Sequence, residues 1–233
     1  MDKTESWRSS VPLPPSPDAV IDVPDIRDYQ RINAELIQLL DQGARHIRLI
    51  GVESQRLLLA GLSGSWQATI EIEGNAGPEL AAGLNAPELK VVCVGSAADG
   101  TGSNLIGGQV LILGNAGACA GVSQRGGSII IVGSAAERAG LNQSGGILLL
   151  LGRSRHLAGE RQSGGILIAE DRSLGGHAGR GRRGGRLLRL TEPIREMDAA
   201  IPRNAIAPFR SWLESGSVEG TLAAALLEQP ESQ

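Results

Sequence analysis

The sequence predicts an all-β protein: a single-stranded parallel β-helix of 19-residue coils, with an N-terminal helix and a short C-terminal helical tail. Three observations predict this fold: 33 glycines, only three Trp, one Tyr and one Phe, and glycine pairs that recur every 19 residues. A core with so few aromatic side chains is built from Val, Ile, Leu and Ala, which pack in thin layers. Repeats of constant length let successive coils stack in register.

Glycine recurs in four columns that keep the 19-residue step. The pairs begin at Gly107, Gly126, Gly145 and Gly164, and a last pair begins at Gly184 after 20 residues. Glycine reaches positive φ angles and permits close approach of the backbone, so these residues predict the sharp corners of each coil. The predicted coil glycines are Gly95, Gly102, Gly108, Gly114, Gly121, Gly127, Gly133, Gly140, Gly146, Gly152, Gly159 and Gly165.

Short apolar runs lie between the glycines and keep the same step. The runs are Val91–Val94, Val110–Leu113, Ile129–Val132 and Leu148–Leu151. Four β-favouring residues bounded by glycine are too few for a helix, and they are typical of a strand that is buried on both faces. Each coil is therefore predicted to contribute one such strand.

A column of glutamines precedes three of the glycine pairs. Gln124, Gln143 and Gln162 each lie two residues before the first glycine of a pair. Stacked glutamines can form hydrogen bonds from amide to amide along the coil axis, as identical side chains do in cross-β stacks. The alternative interpretation is three exposed polar residues on a solvated turn.

Segments of different composition flank the repeats. Asp25 is a candidate N-cap and Gly43 a candidate stop for an amphipathic helix that covers the solenoid. Solenoid ends expose unpaired strand edges, so covering them is the simplest role for both flanks. The predicted segments are a disordered Pro-rich N-terminus over 1–22, a capping helix over 23–43, the solenoid over 44–190 and a tail with short helices over 191–233.

The chain offers few residues from which a catalytic or metal site could be built. Cys93 and Cys119 form no CxxC pair, and we predict that both are buried small hydrophobes. His156 and His177 are 21 residues apart and do not share a column, which argues against a solenoid acyltransferase with a histidine base. No GxSxG string occurs. We predict no catalytic, cofactor-binding or metal-binding residue in this chain.

Charge is distributed unevenly along the chain. The net charge of −3 excludes a global field for nucleic acid or membranes, and no apolar run approaches a membrane span, so we expect a cytoplasmic protein. Half of the arginines nevertheless fall between Arg153 and Arg195. An RNA-binding role is disfavoured because this segment has no aromatic residue to stack on bases. We predict instead a docking surface for an acidic partner subunit, formed by Arg180, Arg182, Arg183, Arg186 and Trp212. The remaining alternative is a solvated face with no partner.

The order and spacing of several strings give the chain a family resemblance. The strings include Gly51–Arg56, Gly95–Gly102, Gly114–Gly117, Ser123–Gly127 and Gly159–Gly165. Together they resemble the GXGXG solenoid at the C-terminus of the glutamate synthase large subunit, which also occurs as a stand-alone subunit. The likeness covers roughly residues 30 to 185.

This resemblance implies a right-handed β-helix that supports other subunits and performs no chemistry itself. It implies a subunit that bridges an amidotransferase-like part and an FMN-dependent synthase-like part, with a route for ammonia between them. Flavin and iron–sulfur clusters are then expected only in the partners. The alternative is a scaffold like the C subunit of formylmethanofuran dehydrogenase or of a formyltransferase/hydrolase complex. Methionines usual before the glycine pairs are Gln124, Gln143 and Gln162 here, which leaves the particular complex open.

Overall fold

Nine parallel strands form one sheet, in chain order, in the computed structural model, which describes residues 16–26 and 28–190. The predicted β-solenoid is confirmed. The elements are β1 (Ala19–Asp22), α1 (Val23–Ile26), α2 (Tyr29–Asp41), β2 (His46–Glu53), β3 (Thr69–Asn75), β4 (Asn85–Cys93), β5 (Gly107–Ile112), β6 (Ser128–Ile131), β7 (Ser144–Leu150), β8 (Gly164–Glu170) and β9 (Arg186–Leu190), with a 3₁₀ turn at Asp171–Ser173.

The register of the central strands follows the 19-residue repeat. Val91 pairs with Val110, and Ile129, Leu148 and Leu167 continue the same column. The last step is 20 residues, because Leu167 pairs with Leu187. A second line of parallel bridges runs up the corner that follows each strand, through Ala97, Ala116, Ala135, Ser154 and Leu174. Each coil is thus hydrogen-bonded to its neighbours along two sides.

The N-terminal end of the solenoid differs from the sequence prediction. Residues 19–22 were expected to be disordered, but they form β1, which pairs in parallel with β2 and buries Ile21. The N-cap of the main helix is Asp28 and not Asp25, because the Asp28 side chain accepts a hydrogen bond from the Gln30 amide at 2.9 Å. The helix ends at Asp41, and Gly43 follows it with a φ of 92°.

Helix α2 covers the first coils of the solenoid. Ile32, Leu36 and Leu40 are buried in the same apolar core as the strands. Asn33 fixes the helix to the loop after β2: its amide nitrogen donates to the Leu57 carbonyl and its oxygen accepts from the Leu59 amide, both at 2.9 Å. In the described part of the chain, no helix is long and apolar enough to cross a membrane.

Strands β4 to β8 carry aliphatic residues on both faces. Alternate residues such as Val91, Cys93 and Val110 belong to the interior core, and their neighbours point outward because side chains alternate across a strand. Lys90, Gln109 and Ser128 lie on the outward side of β4 to β6, and Glu170 lies there at the end of β8. Many of the other outward residues of β4 to β8, and of the positions just after these strands, are aliphatic. We call them the outer apolar face, which comprises a central column of Val92, Leu111, Ile130, Leu149 and Ile168 and a flanking column of Val94, Leu113, Val132 and Leu151.

The glutamine column forms a buried ladder, which decides between the two interpretations of the sequence. Gln124, Gln143 and Gln162 are each 0% exposed. The Gln143 Nε2 donates to the Gln124 Oε1 at 3.2 Å, and the Gln162 Nε2 donates to the Gln143 Oε1 at 3.1 Å. Each Nε2 also donates to backbone carbonyls of its own coil and of the next one. The ladder therefore ties consecutive coils together inside the solenoid.

The predicted coil glycines fall into two groups. Eight have positive φ angles, namely Gly102, Gly108, Gly121, Gly127, Gly140, Gly146, Gly159 and Gly165. The other four follow the strands at negative φ and stack on one another, so that a Cβ at any of them would meet the backbone of the coil below; they are Gly95, Gly114, Gly133 and Gly152. Close stacking of coils, and not only φ, thus requires glycine here.

The two cysteines occupy different environments. Cys93 is buried in the core, and burial raises the pKa of its thiol. Cys119 is only half-buried and has a φ of 59° at a coil corner, so the prediction that both thiols are buried is wrong for Cys119. Its corner position explains the difference, because that side chain points away from the core.

Candidate subunit interface

The predicted arginine surface lies at the C-terminal end of the solenoid. Arg180, Arg182 and Arg183 occupy the last turn before β9, and Arg186 begins that strand. All four are exposed. Strand β9 is the last of the sheet and pairs only with β8 among the described strands. We call these four residues the arginine end.

Backbone hydrogen bonds hold the arginine end in place. The Arg183 amide donates to the Gln162 carbonyl at 2.8 Å, and the Arg180 carbonyl accepts from the Arg161 amide at 2.8 Å. Gly181 has a φ of 66°, which lets the chain turn between the two contacts. The four guanidinium groups therefore project from a backbone whose position is fixed by the coil below.

Charged side chains on the coils before the arginine end form ion pairs with one another. Arg138 lies 3.4 Å from Glu160, and Arg155 lies 3.1 Å from Glu137 on a neighbouring coil. Hydrogen bonds from the Glu137 backbone amide and then from the Arg155 side chain lower the pKa of Glu137. Among the described residues, no ion pair involves the arginine end, whereas Arg172 and Arg189 of the surrounding segment 172–190 pair with Glu170 and Asp171. The unmatched charge favours an acidic partner surface.

Arg189 was not predicted to belong to this surface, whereas Trp212 was. Arg189 is on the same strand, but it lies 3.3 Å from Asp171 and donates to the Ala178 carbonyl. Trp212 lies outside the described residues, so its place in the surface stays a prediction. Exposed charge on an end strand also discourages uncontrolled pairing with other strands, which is a simpler role for these arginines.

A buried polar cluster that the sequence did not reveal lies on β2 and β3. The Glu71 carboxylate is 3.2 Å from His46 Nε2 and 3.4 Å from Arg48 Nε. His46 and Glu71 are each 7% exposed. Arg48 and Glu71 pair across the two strands, and Val92 continues their column. His46 and Glu71 are 25 residues apart, a spacing that does not follow the 19-residue repeat. The only indication of the cluster in the sequence is the alternation of polar and apolar residues on β3.

His156 and His177 lie on adjacent coils. His156 lies beside Gly176 of the next coil, one position from His177, as the sequence spacing predicted. In the ranges 16–26 and 28–190, no cluster of three or more His, Cys, Asp or Glu residues could hold a metal ion. The arginine end is therefore the candidate functional site.

Comparison with known proteins gives one informative similarity. No protein-family model and no curated protein matches the chain. A solved structure does: a chain of the formyltransferase/hydrolase complex from Methylorubrum extorquens, determined in complex with methylofuran, is similar with a TM-score of 0.56 and 25% sequence identity. The similarity covers 78% of this chain and 69% of that chain. The resemblance to the glutamate synthase domain is not confirmed by any of these comparisons.

Proposed function

We propose that this chain is a non-catalytic structural subunit of a multi-subunit complex that transfers formyl groups. The observation that carries the proposal is the similarity to a chain of a formyltransferase/hydrolase complex over 78% of this sequence. Of the two complexes suggested by the sequence, the formyl-transfer alternative has this support, whereas the glutamate synthase interpretation has none. We therefore adopt the formyl-transfer alternative in place of the interpretation that the chain bridges an amidotransferase and an FMN-dependent synthase.

The architecture suits a subunit that positions others. Parallel coils hydrogen-bonded along two sides, together with a glutamine ladder inside, make a stiff body. The arginine end presents positive charge at one fixed place on that body. Charge of this kind contributes more to the rate and specificity of docking than to affinity. Cofactors, if the complex uses any, are expected in the partner subunits.

Purification of the tagged chain from its native source, at low salt and after nuclease treatment, tests this proposal. We expect stoichiometric protein subunits to co-purify and the assembly to transfer formyl groups, whereas the isolated chain shows no turnover. Arg182→Glu with Arg183→Glu should remove the partners, because an acidic surface is repelled by the reversed charge. The salt dependence of the association should be steep for the same reason.

The matched control reverses two exposed arginines on earlier coils. Arg125 precedes its glycine pair as Arg183 does, and Arg153 follows β7, yet neither has an ion pair among the described residues. Arg125→Glu with Arg153→Glu should leave the assembly intact. Glutamate synthase activity in the purified assembly, or loss of all associated material on nuclease treatment, would contradict the proposal.

A further inference from the structure

A cavity of about 370 Å³ opens beside the outer apolar face, over strands β3 to β5. Two of its eight lining residues are Ala68 and Pro87, and the other six have polar side chains: Arg45, Gln67, Thr69, Glu88, Lys90 and Gln109. Thr69, Lys90 and Gln109 are partners in the register of the sheet, so three adjacent strands present them side by side, about 4.8 Å apart. We call this space the Lys90 cavity. Its volume is that of a site for a small molecule.

An irregularity in strand β4 forms one wall of the Lys90 cavity. Asn85 pairs with Gly107 and Lys90 pairs with Gln109, so the four residues 86–89 of β4 lie opposite a single residue of β5. Glu88, in this extra stretch, is exposed and lines the cavity. Bulges are over-represented next to functional sites, and insertions into a repeat often lie on its binding face. The wall is thus an addition to the repeat that coil stacking does not require.

The polar groups of the Lys90 cavity do not hold the fold together. Within the part of the chain that the structure describes, none of the six polar side chains makes a hydrogen bond or an ion pair, and the Gln109 Oε1 has no donor. Asp18 accepts from the backbone amide of Arg45 and not from its guanidinium group. Next to the cavity, by contrast, Arg48 and Glu71 pair with each other. Unused polar groups around one concave surface indicate a ligand that engages them.

The charges of the Lys90 cavity define the class of ligand. Arg45 and Lys90 contribute two positive charges, and Glu88 contributes one negative charge. The chain has only two lysines, Lys3 and Lys90, against 20 arginines. A lysine ammonium group is a compact charge on a flexible stem, which suits a small anion better than the planar fork of arginine. A molecule with two carboxylates and one ammonium group matches the three charges one by one.

We propose that the Lys90 cavity binds a small amino dicarboxylate, with its carboxylates at Arg45 and Lys90 and its ammonium group at Glu88. The Gln109 Oε1 accepts a hydrogen bond from the same ammonium group, and the Thr69 hydroxyl donates to a carboxylate. The lining offers too little apolar surface for a lipid tail or an aromatic ring. Four strands separate β5 from β9, so this ligand does not compete with a partner at the arginine end.

Titration of the intact chain with L-aspartate tests this proposal. In a Lys3→Arg background, reductive methylation with isotope-labelled formaldehyde leaves Lys90 as the single labelled lysine and keeps its charge. L-aspartate should shift the nuclear magnetic resonance signal of the Lys90 methyl groups saturably, with the labelled N-terminal amine as the reference. Succinate has the same two carboxylates without the ammonium group, and it should bind about tenfold more weakly.

Variants of the cavity separate the contributions of its charges. Glu88→Gln should abolish the preference for L-aspartate over succinate, because it removes the partner of the ammonium group. The matched control is Glu73→Gln, since Glu73 is also exposed and has no ion pair among the described residues; it should keep the preference. Arg45→Gln should weaken the binding of both compounds about tenfold, whereas Arg125→Gln should weaken neither.

Three results would overturn the proposal. The first is the absence of a saturable shift with L-aspartate, and the second is equal affinity for L-aspartate and succinate. The third is an equal effect of Glu73→Gln and Glu88→Gln, which would mean that only the net charge of the chain matters. Circular dichroism verifies that each variant is folded. All measurements use the chain alone, so their outcome does not depend on the proposed function.

Discussion

Gly127→Ala is expected to lower the free energy of unfolding by about 3 kcal/mol or more, from left-handed strain plus a steric clash. Gly127 has a φ of 63°, and a Cβ added there would lie 2.5 Å from the Gly108 carbonyl oxygen and 3.0 Å from Leu105 Cδ2. The carbonyl belongs to the coil below and cannot move without disturbing the ladder of hydrogen bonds. Urea denaturation followed by circular dichroism measures the loss.

Gly83→Ala isolates the contribution of the clash. Gly83 has nearly the same φ, 65°, but a Cβ added there meets nothing within 4 Å. This variant should lose only the cost of a left-handed alanine, about 1 to 2 kcal/mol. Equal losses at Gly83 and Gly127 would mean that coil stacking does not constrain the glycine pairs, contrary to the geometry described above.

Gln143→Met is expected to destabilise the protein by about 3 kcal/mol, because it removes several hydrogen bonds and leaves a buried oxygen unpaired. Gln143 donates to the Gln124 Oε1, to which no other hydrogen bond is found in the described residues. That oxygen is enclosed in a 0% exposed side chain and cannot turn to water. Methionine has a similar size, so the loss reports the ladder more than a cavity.

Gln143 and Gln162 each donate to the glutamine one coil earlier, and this direction of the ladder provides the control. Gln124→Met creates no new unpaired amide group, since the Gln143 Nε2 keeps the Gly146 and Ile166 carbonyls as acceptors. The Gln162 Oε1 at the other end of the ladder has no hydrogen-bond partner among the described residues in either protein. Gln124→Met should cost about 1 to 3 kcal/mol less than Gln143→Met, the penalty of one buried unpaired group. The triple variant with methionine at 124, 143 and 162 should lose clearly less free energy of unfolding than the sum of the losses of the three single variants. The ladder would be ruled out if the three losses were additive and if Gln124→Met and Gln143→Met were equally destabilising.

The repeating part of the fold is predictable from the sequence because its signal is periodic. Runs such as Val110–Leu113 recur every 19 residues, and the sheet pairs them with that step. Strand β1 was missed because Ala19–Asp22 lies outside the repeat, is only four residues long and follows a Pro-rich stretch. Its pairing is decided by the edge that β2 offers, which local sequence does not encode.

The candidate site is predictable in part. Clustered arginines at the end of a repeat indicate an exposed charged end, and the structure places Arg180, Arg182, Arg183 and Arg186 there. The contact between His46 and Glu71 depends on an irregular coil length, which no sequence period reveals. Apolar runs without alternation did predict strands with aliphatic residues on both faces.

Sedimentation of the partner subunits in cells that lack this chain tests the scaffold role most directly. If the chain holds the complex together, the formyl-transferring subunits should sediment separately in its absence and should rejoin when the wild-type chain is restored. The variant with Arg182→Glu and Arg183→Glu should fail to restore them. Unchanged sedimentation of those subunits without this chain would contradict the account.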